Sequence, residues 1–167
     1  MKNKIILGAD PGTRNFGICV HKTPGKILYS GLLYNTITDM KSPNLIALSK
    51  TITKMLKKYR PSKVVLERFL GRGLKGGLNE MITSNTICVA LIAAQLGIEV
   101  IFVTAATWKN QLAREGKEIE KIYAYAWKYG ISKHRVDSLL LAIWASRNEK
   151  PFFKNLTKKL VKELENG

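Results

Sequence analysis

KIILGADPGTRNFGICV, residues 4–20, decides how the rest of this chain is read. An apolar run ends on Asp10, and Pro11-Gly12 follows at once, the pattern of a buried strand stopped by a turn. An acid at the end of a buried strand is costly unless a positive group meets it there. Acids are scarce here: the 167 residues contain three Asp, namely Asp10, Asp39 and Asp137. The question is what Asp10 is for.

Outward from that strand, NFGICVHK (15–22) and KILYSGLLY (26–34) read as its successors, joined by Gly- and Pro-containing turns in an antiparallel meander. NLIALSKTITKMLKKYR (44–60) has apolar residues at helical spacing from Leu45 to Leu56 and is stopped by Pro61. KVVLE (63–67) is a fourth, buried strand. RFLGRGLKGG (68–77) reads as a mobile loop. A second helix is expected over 79–95, capped by Gly97; its half ICVALIAA (87–94) is apolar on every face and asks for cover on more than one side. Either it lies deep in the core or it is shared with a second copy. IEVIFVT (98–104) is the fifth strand, and two helices, 117–129 and 134–147, close the domain on either side of Gly130. This order describes an α/β fold, a five-stranded mixed sheet flanked by helices, with one domain over 1–150 and a basic amphipathic tail over 151–167. The tail either packs on the body or forms an arm toward nucleic acid.

Composition narrows the class. Hydrophobic residues make up 46% of the chain, enough for a core, and no apolar run is long enough to span a membrane. The first apolar stretch stops at Asp10, too early for a signal h-region. Cys19 and Cys88 sit in apolar runs without zinc spacing, which suits an intracellular, reducing, cytoplasmic setting. Lys and Arg number 28 against 12 acids, a net charge of +16, so the expected partner is a polyanion.

Nine of the twelve acids lie in lysine-laced segments or near turns, where solvation accounts for them. Asp10 after IILGA, Glu67 after VVL and Asp137 at the head of DSLLLAIWA do not. Each alone could be a cap or the partner of a buried Arg. Together, on neighbouring strands and on a helix able to cover the strand ends, they would repel one another and require a compensating charge. Mg²⁺ or Mn²⁺ suits hard oxygen donors on a phosphate-binding protein. Two such ions about 4 Å apart can activate a water and stabilise the leaving oxygen of a phosphodiester. His134, three residues before Asp137 and so on one helix face with it, is expected as a further ligand or proton carrier. His21, at a strand end, is expected to be solvated.

With these residues in hand, the sequence resembles the RuvC-type Holliday-junction resolvases of the RNase H-like nuclease superfamily. DPGTRNFG (10–17) resembles that family's opening D-P-G-[S/T]-R-x-x-G. VVLERF (64–69) resembles its strand bearing a catalytic Glu, and HRVDSLLLAIWA (134–145) resembles its closing helix. TAATWKNQL (104–112) resembles a segment that carries a basic residue, here Lys109, toward DNA. The resemblance implies an RNase H-like fold and a catalytic, metal-binding set of Asp10, Glu67, His134 and Asp137. Asp10 would bridge two Mg²⁺ ions per site, with Mn²⁺ able to substitute. Many members carry Asp where His134 stands. The family commonly places an aromatic three residues after the Glu; here Phe69 is two residues on and Leu70 is third, so Phe69 is either the wedge at the junction centre or an ordinary core residue.

The implied activity is a structure-selective endonuclease, a homodimer that resolves four-way DNA junctions by symmetric nicks. Arg14, Arg68, Phe69, Arg72, Lys75, Lys109, Lys117 and Lys121 are the residues expected nearest the DNA. An RNA- or hybrid-directed nuclease, a non-catalytic junction binder and a basic ribosomal-type protein are the competing readings.

Overall fold

The computed structural model describes residues 4–12, 15–23, 25–34, 44–70, 76–114 and 119–146. Five strands and five helices follow in the order β1 (Ile5–Asp10), β2 (Asn15–Lys22), β3 (Lys26–Tyr34), α1 (Leu45–Tyr59), β4 (Lys63–Arg68), α2 (Gly76–Gln95), β5 (Glu99–Thr104), α3 (Ala105–Arg114), α4 (Ile119–Lys128) and α5 (Lys133–Ser146). The sheet order is β3-β2-β1-β4-β5. β1 to β3 form the antiparallel meander read from the sequence, while β4 runs parallel to β1 and β5 parallel to β4. The α/β class and the mixed five-stranded sheet are therefore as expected.

Strand alternation splits the core into two layers. Leu7, Ala9, Phe16, Ile18, Val20, Val64 and Leu66 face one side, where Leu48, Ile52 and Leu56 of α1 and Val89 and Ala93 of α2 cover them. Ile6, Cys19, Val65 and Val103 face the other, under α3, α4 and α5. Asn44 caps α1 by accepting a hydrogen bond from the Ala47 amide, and Arg60 closes it at φ 46°, just before Pro61.

Three expectations change, and one open alternative closes. A helix not foreseen, α3, follows β5 directly. Thr104 Oγ1 accepts from the Thr107 amide, and Trp108 and Leu112, one turn apart, are both buried. Its first residues AAT carry no apolar period, which hid it. α2 begins at Gly76, so the last two glycines of the expected loop are helical; a helix start tolerates them because its first amides need no intrahelical partner. α2 is not deep in the core: Ile87 is 45% and Leu91 58% exposed. His21 is fully buried, because the antiparallel pairing with Ile6 places it inside the sheet rather than at a free strand end; burial pushes its imidazole down to about 4. The expected tail, 151–167, lies outside the described residues, and with it the boundary at 150. Among the described residues no helix is long and apolar enough to cross a membrane.

Candidate active site

The same alternation that builds the core aims the acids. In β1, Ile6 faces α5 and Leu7 and Ala9 face α1, so Asp10 returns to the α5 side. In β4, Val65 faces α5 and Val64 and Leu66 face away, so Glu67 also returns to it. The parallel register pairs Ala9 with Leu66, and one residue further on Asp10 and Glu67 stand at the same level on adjacent strands.

α5 brings the other two residues, and two glycines let it approach. A Cβ on Gly8 would overlap the Ser138 carbonyl oxygen, and one on Gly17 would overlap the His134 carbonyl oxygen. With β1 and β2 bare at those positions, the helix backbone rests directly on the strands. The Arg135 guanidinium donates to Ser30 Oγ and to the Ser30 carbonyl, tying the same end of α5 to β3. His134 Nδ1 then lies 2.6 Å from Asp10 Oδ2, and Asp137 is buried one turn further along.

Three donors from α3 and α4 complete the cluster. Trp108 Nε1 donates to Glu67 Oε2 at 2.9 Å, and the Tyr123 hydroxyl donates to Asp137 Oδ1. Lys109 Nζ approaches Asp137 Oδ2 at 3.4 Å. The electrostatics show how crowded the carboxylates are. Burial, and then the charge of Asp10, push Glu67 up to about 7, with Asp137 adding to the rise and the Trp108 bond and Lys109 opposing it. Burial also raises Asp137, against the Tyr123 bond and Lys109. The hydrogen bond to Asp10 raises His134 above the ordinary imidazole value despite its burial. Burial raises the Tyr123 hydroxyl, so it remains a neutral donor.

Among the described residues no three Asp, Glu, His or Cys side chains already stand grouped as a cage for an ion. The bonds show what occupies the oxygens: Asp10 Oδ2 is closed on His134, and Asp137 Oδ2 on Lys109. The donor set nonetheless fits a hard divalent cation, being three mutually repelling carboxylates and one imidazole at a single strand end. Closing on an ion would require the His134–Asp10 and Lys109–Asp137 contacts to open.

Of the residues singled out in the sequence, Asp10, Glu67, His134 and Asp137 come together, with Lys109 beside them. Arg68 is exposed at the end of β4, and Phe69 follows it, 37% exposed and outside both core layers. Lys121 is exposed on α4. Arg14, Arg72, Lys75 and Lys117 lie outside the described residues. Trp108, Tyr123, Gly8 and Gly17 were not singled out. A polar tip on a buried aromatic does signal a required hydrogen-bond partner, but it does not say which one.

A helix laid across carboxylates at the ends of adjacent parallel strands, over a sheet in this order, is the RNase H-like fold. The family model described as crossover junction endodeoxyribonuclease RuvC matches residues 6–124, and the chain belongs to that family. The matched stretch includes Asp10 and Glu67 and ends before α5. Among solved structures, Thermus thermophilus RuvC in complex with a Holliday junction substrate is 18% identical, with 92% of this chain and 96% of that chain covered and a TM-score of 0.68. A second Thermus thermophilus RuvC structure is 19% identical, covers 91% and 96%, and also has a TM-score of 0.68. The yeast mitochondrial Holliday junction resolvase Ydc2 is 13% identical over 96% of this chain and 83% of that one, with a TM-score of 0.56. These likenesses show a shared fold. No curated protein matches.

Proposed function

We propose that this protein is a metal-dependent endonuclease that resolves four-way DNA junctions by paired symmetric nicks, a reading supported by its membership of a crossover junction endodeoxyribonuclease family. The observation that carries the reading is the meeting of Asp10, Glu67, His134 and Asp137 at one end of the sheet, with Glu67 driven up to about 7 by burial and its neighbours. Asp10, Glu67 and Asp137 would hold two Mg²⁺ or Mn²⁺ ions, with His134 as the fourth ligand. When bound, the ions supply Lewis acidity, lowering the pKa of an attacking water and neutralising charge on the leaving oxygen. His134 must release its proton to act as a ligand, so metal affinity rises with pH.

The remaining residues bind and orient the DNA. Lys109 places an ammonium beside the site, where a scissile phosphate needs one. Arg68 and Phe69 leave the end of β4 immediately after Glu67, which suits them to the junction backbone and to stacking at its opened centre. Arg14, Arg72, Lys75, Lys117 and Lys121 are the further basic residues we assign to DNA contact, on the family resemblance and the net charge of +16. The bare outer face of α2 is the surface we assign to the second subunit, so that one site serves each of two strands.

The test is cleavage of a labelled four-way junction beside a linear duplex and an RNA–DNA hybrid, with and without Mg²⁺ or Mn²⁺. Paired nicks in the junction that require the metal are expected. Asp10→Asn or Glu67→Gln should abolish them while junction binding stays intact or tightens. Full activity in chelator or in both variants would overturn the metal site, and preferential cleavage of the hybrid would overturn the substrate.

A further inference from the structure

Each of two carboxylates at the site is held by a neutral donor from outside the set expected to bind metal. Trp108, wholly buried, gives its Nε1 proton to Glu67 Oε2 at 2.9 Å, and Tyr123 gives its hydroxyl proton to Asp137 Oδ1. The two rings also flank Lys109, whose Nζ lies 4.8 Å from the Trp108 ring centroid and 5.4 Å from that of Tyr123. One cluster on α3 and α4 thus grips a strand carboxylate, a helix carboxylate and the site's nearest ammonium. A carboxylate free to rotate must lose that freedom when it ligates an ion, whereas one already fixed through one oxygen presents the other in a set direction.

We propose that Trp108 and Tyr123 are positioning residues that fix Glu67 and Asp137 in the orientation required for divalent-cation binding. The inference rests on the metal-site reading above. The donors are neutral, so they orient the carboxylates without cancelling the charge that attracts the ion. Lys109, stacked between the rings, holds positive charge at Asp137 until a cation takes over that role. Removing either donor while keeping its ring should therefore loosen metal binding far more than it disturbs the fold.

The full-length protein, without DNA, is titrated with Mn²⁺ by calorimetry as wild type, Tyr123→Phe, Trp108→Phe and Asp10→Asn. Tyr123→Phe should weaken Mn²⁺ binding about 10-fold or more, the range for losing such outer hydrogen bonds. The Mn²⁺ concentration for half-maximal junction cleavage should rise in parallel, with the rate at saturating Mn²⁺ largely restored; a merely structural defect would not show that split. Trp108→Phe should behave alike. Should its buried site fail to tolerate the change, the half-buried Tyr123→Phe decides alone. A folded Tyr123→Phe whose Mn²⁺ affinity stays within threefold of wild type overturns the inference. If Asp10→Asn also binds Mn²⁺ like wild type, it is the metal site itself that fails.

Discussion

Helices α2 and α5 are both apolar around most of their circumference, yet the molecule encloses only one of them. In α5 every residue from Val136 to Trp144 is buried, between the strands below and α3 and α4 above. In α2, Val89 and Ala93 are buried while Ile87 and Leu91, on the opposite side, face outward. The enclosed helix can carry Asp137 into the interior because its aliphatic residues outweigh it. Burying each Leu, Ile or Val contributes about 1.5–3 kcal/mol, and α5 buries Val136, Leu139, Leu140, Leu141 and Ile143. Against this stands the acid it buries, Asp137, whose pKa is raised by burial while the Tyr123 bond and Lys109 oppose the rise. The half-covered helix keeps its acid, Glu80, exposed and has apolar area left for a partner. An all-round apolar sequence thus demands two covers; it does not say whether both come from the same chain.

The largest effect should come from lifting α5. Gly8→Val puts side-chain atoms where the Ser138 carbonyl and the Ala142 amide now lie, so either helix or strand must move. We expect a loss of about 3 kcal/mol or more, a fall in melting temperature of roughly 6–12 °C, and loss of cleavage. An unchanged melting curve would break the contrast, because α5 would not then rest on β1.

Next, the buried polar end of α5 should make stability depend on pH in a way α2 cannot. Below about pH 4.5, the ordinary value for Glu67, the group is protonated folded or unfolded and costs nothing. Between there and about 7 the folded state retains a proton that the unfolded chain has released, so stability falls as pH rises, by at most about 3 kcal/mol. His134, raised by Asp10, extends the decline: its contribution is full below the ordinary imidazole value and is lost as pH climbs through the folded one. Chemical denaturation at pH 5 and 8 of the chelated wild type and of Glu67→Gln measures this as the difference between the two, because His21, held neutral by burial, acts in the opposite direction in both. Equal pH dependence in wild type and variant contradicts the crowded carboxylates.

The smallest effect on the fold and a sharp one on assembly are expected at α2. Leu91→Lys should change the stability of the isolated chain by less than about 0.5 kcal/mol while raising the dimer dissociation constant tenfold or more. Sedimentation would show it; an unaltered association constant would move the interface elsewhere.

Much of this was legible in the sequence because the signals are local. The apolar runs of β1 and β4 show that Asp10 and Glu67 end buried strands, and the three-residue spacing shows that His134 and Asp137 share a helix face. Those patterns reflect backbone geometry within a few residues, which any sequence displays. Missed were the short helix α3, whose one buried pair is too brief to show a period, and the burial of His21, which follows from pairing with a strand fifteen residues earlier.

The sequence by itself determined that three acids had to be compensated, and that the chain would alternate strands and helices around a basic, phosphate-seeking surface. Tertiary structure alone decided which groups do the compensating. Glu67 and Trp108 are 41 residues apart, and Asp10 and His134 are 124 apart. No local preference encodes such meetings. They arise because Gly8 and Gly17 let one enclosed helix settle on the sheet, and the burial of its apolar faces leaves the polar end no other place to go.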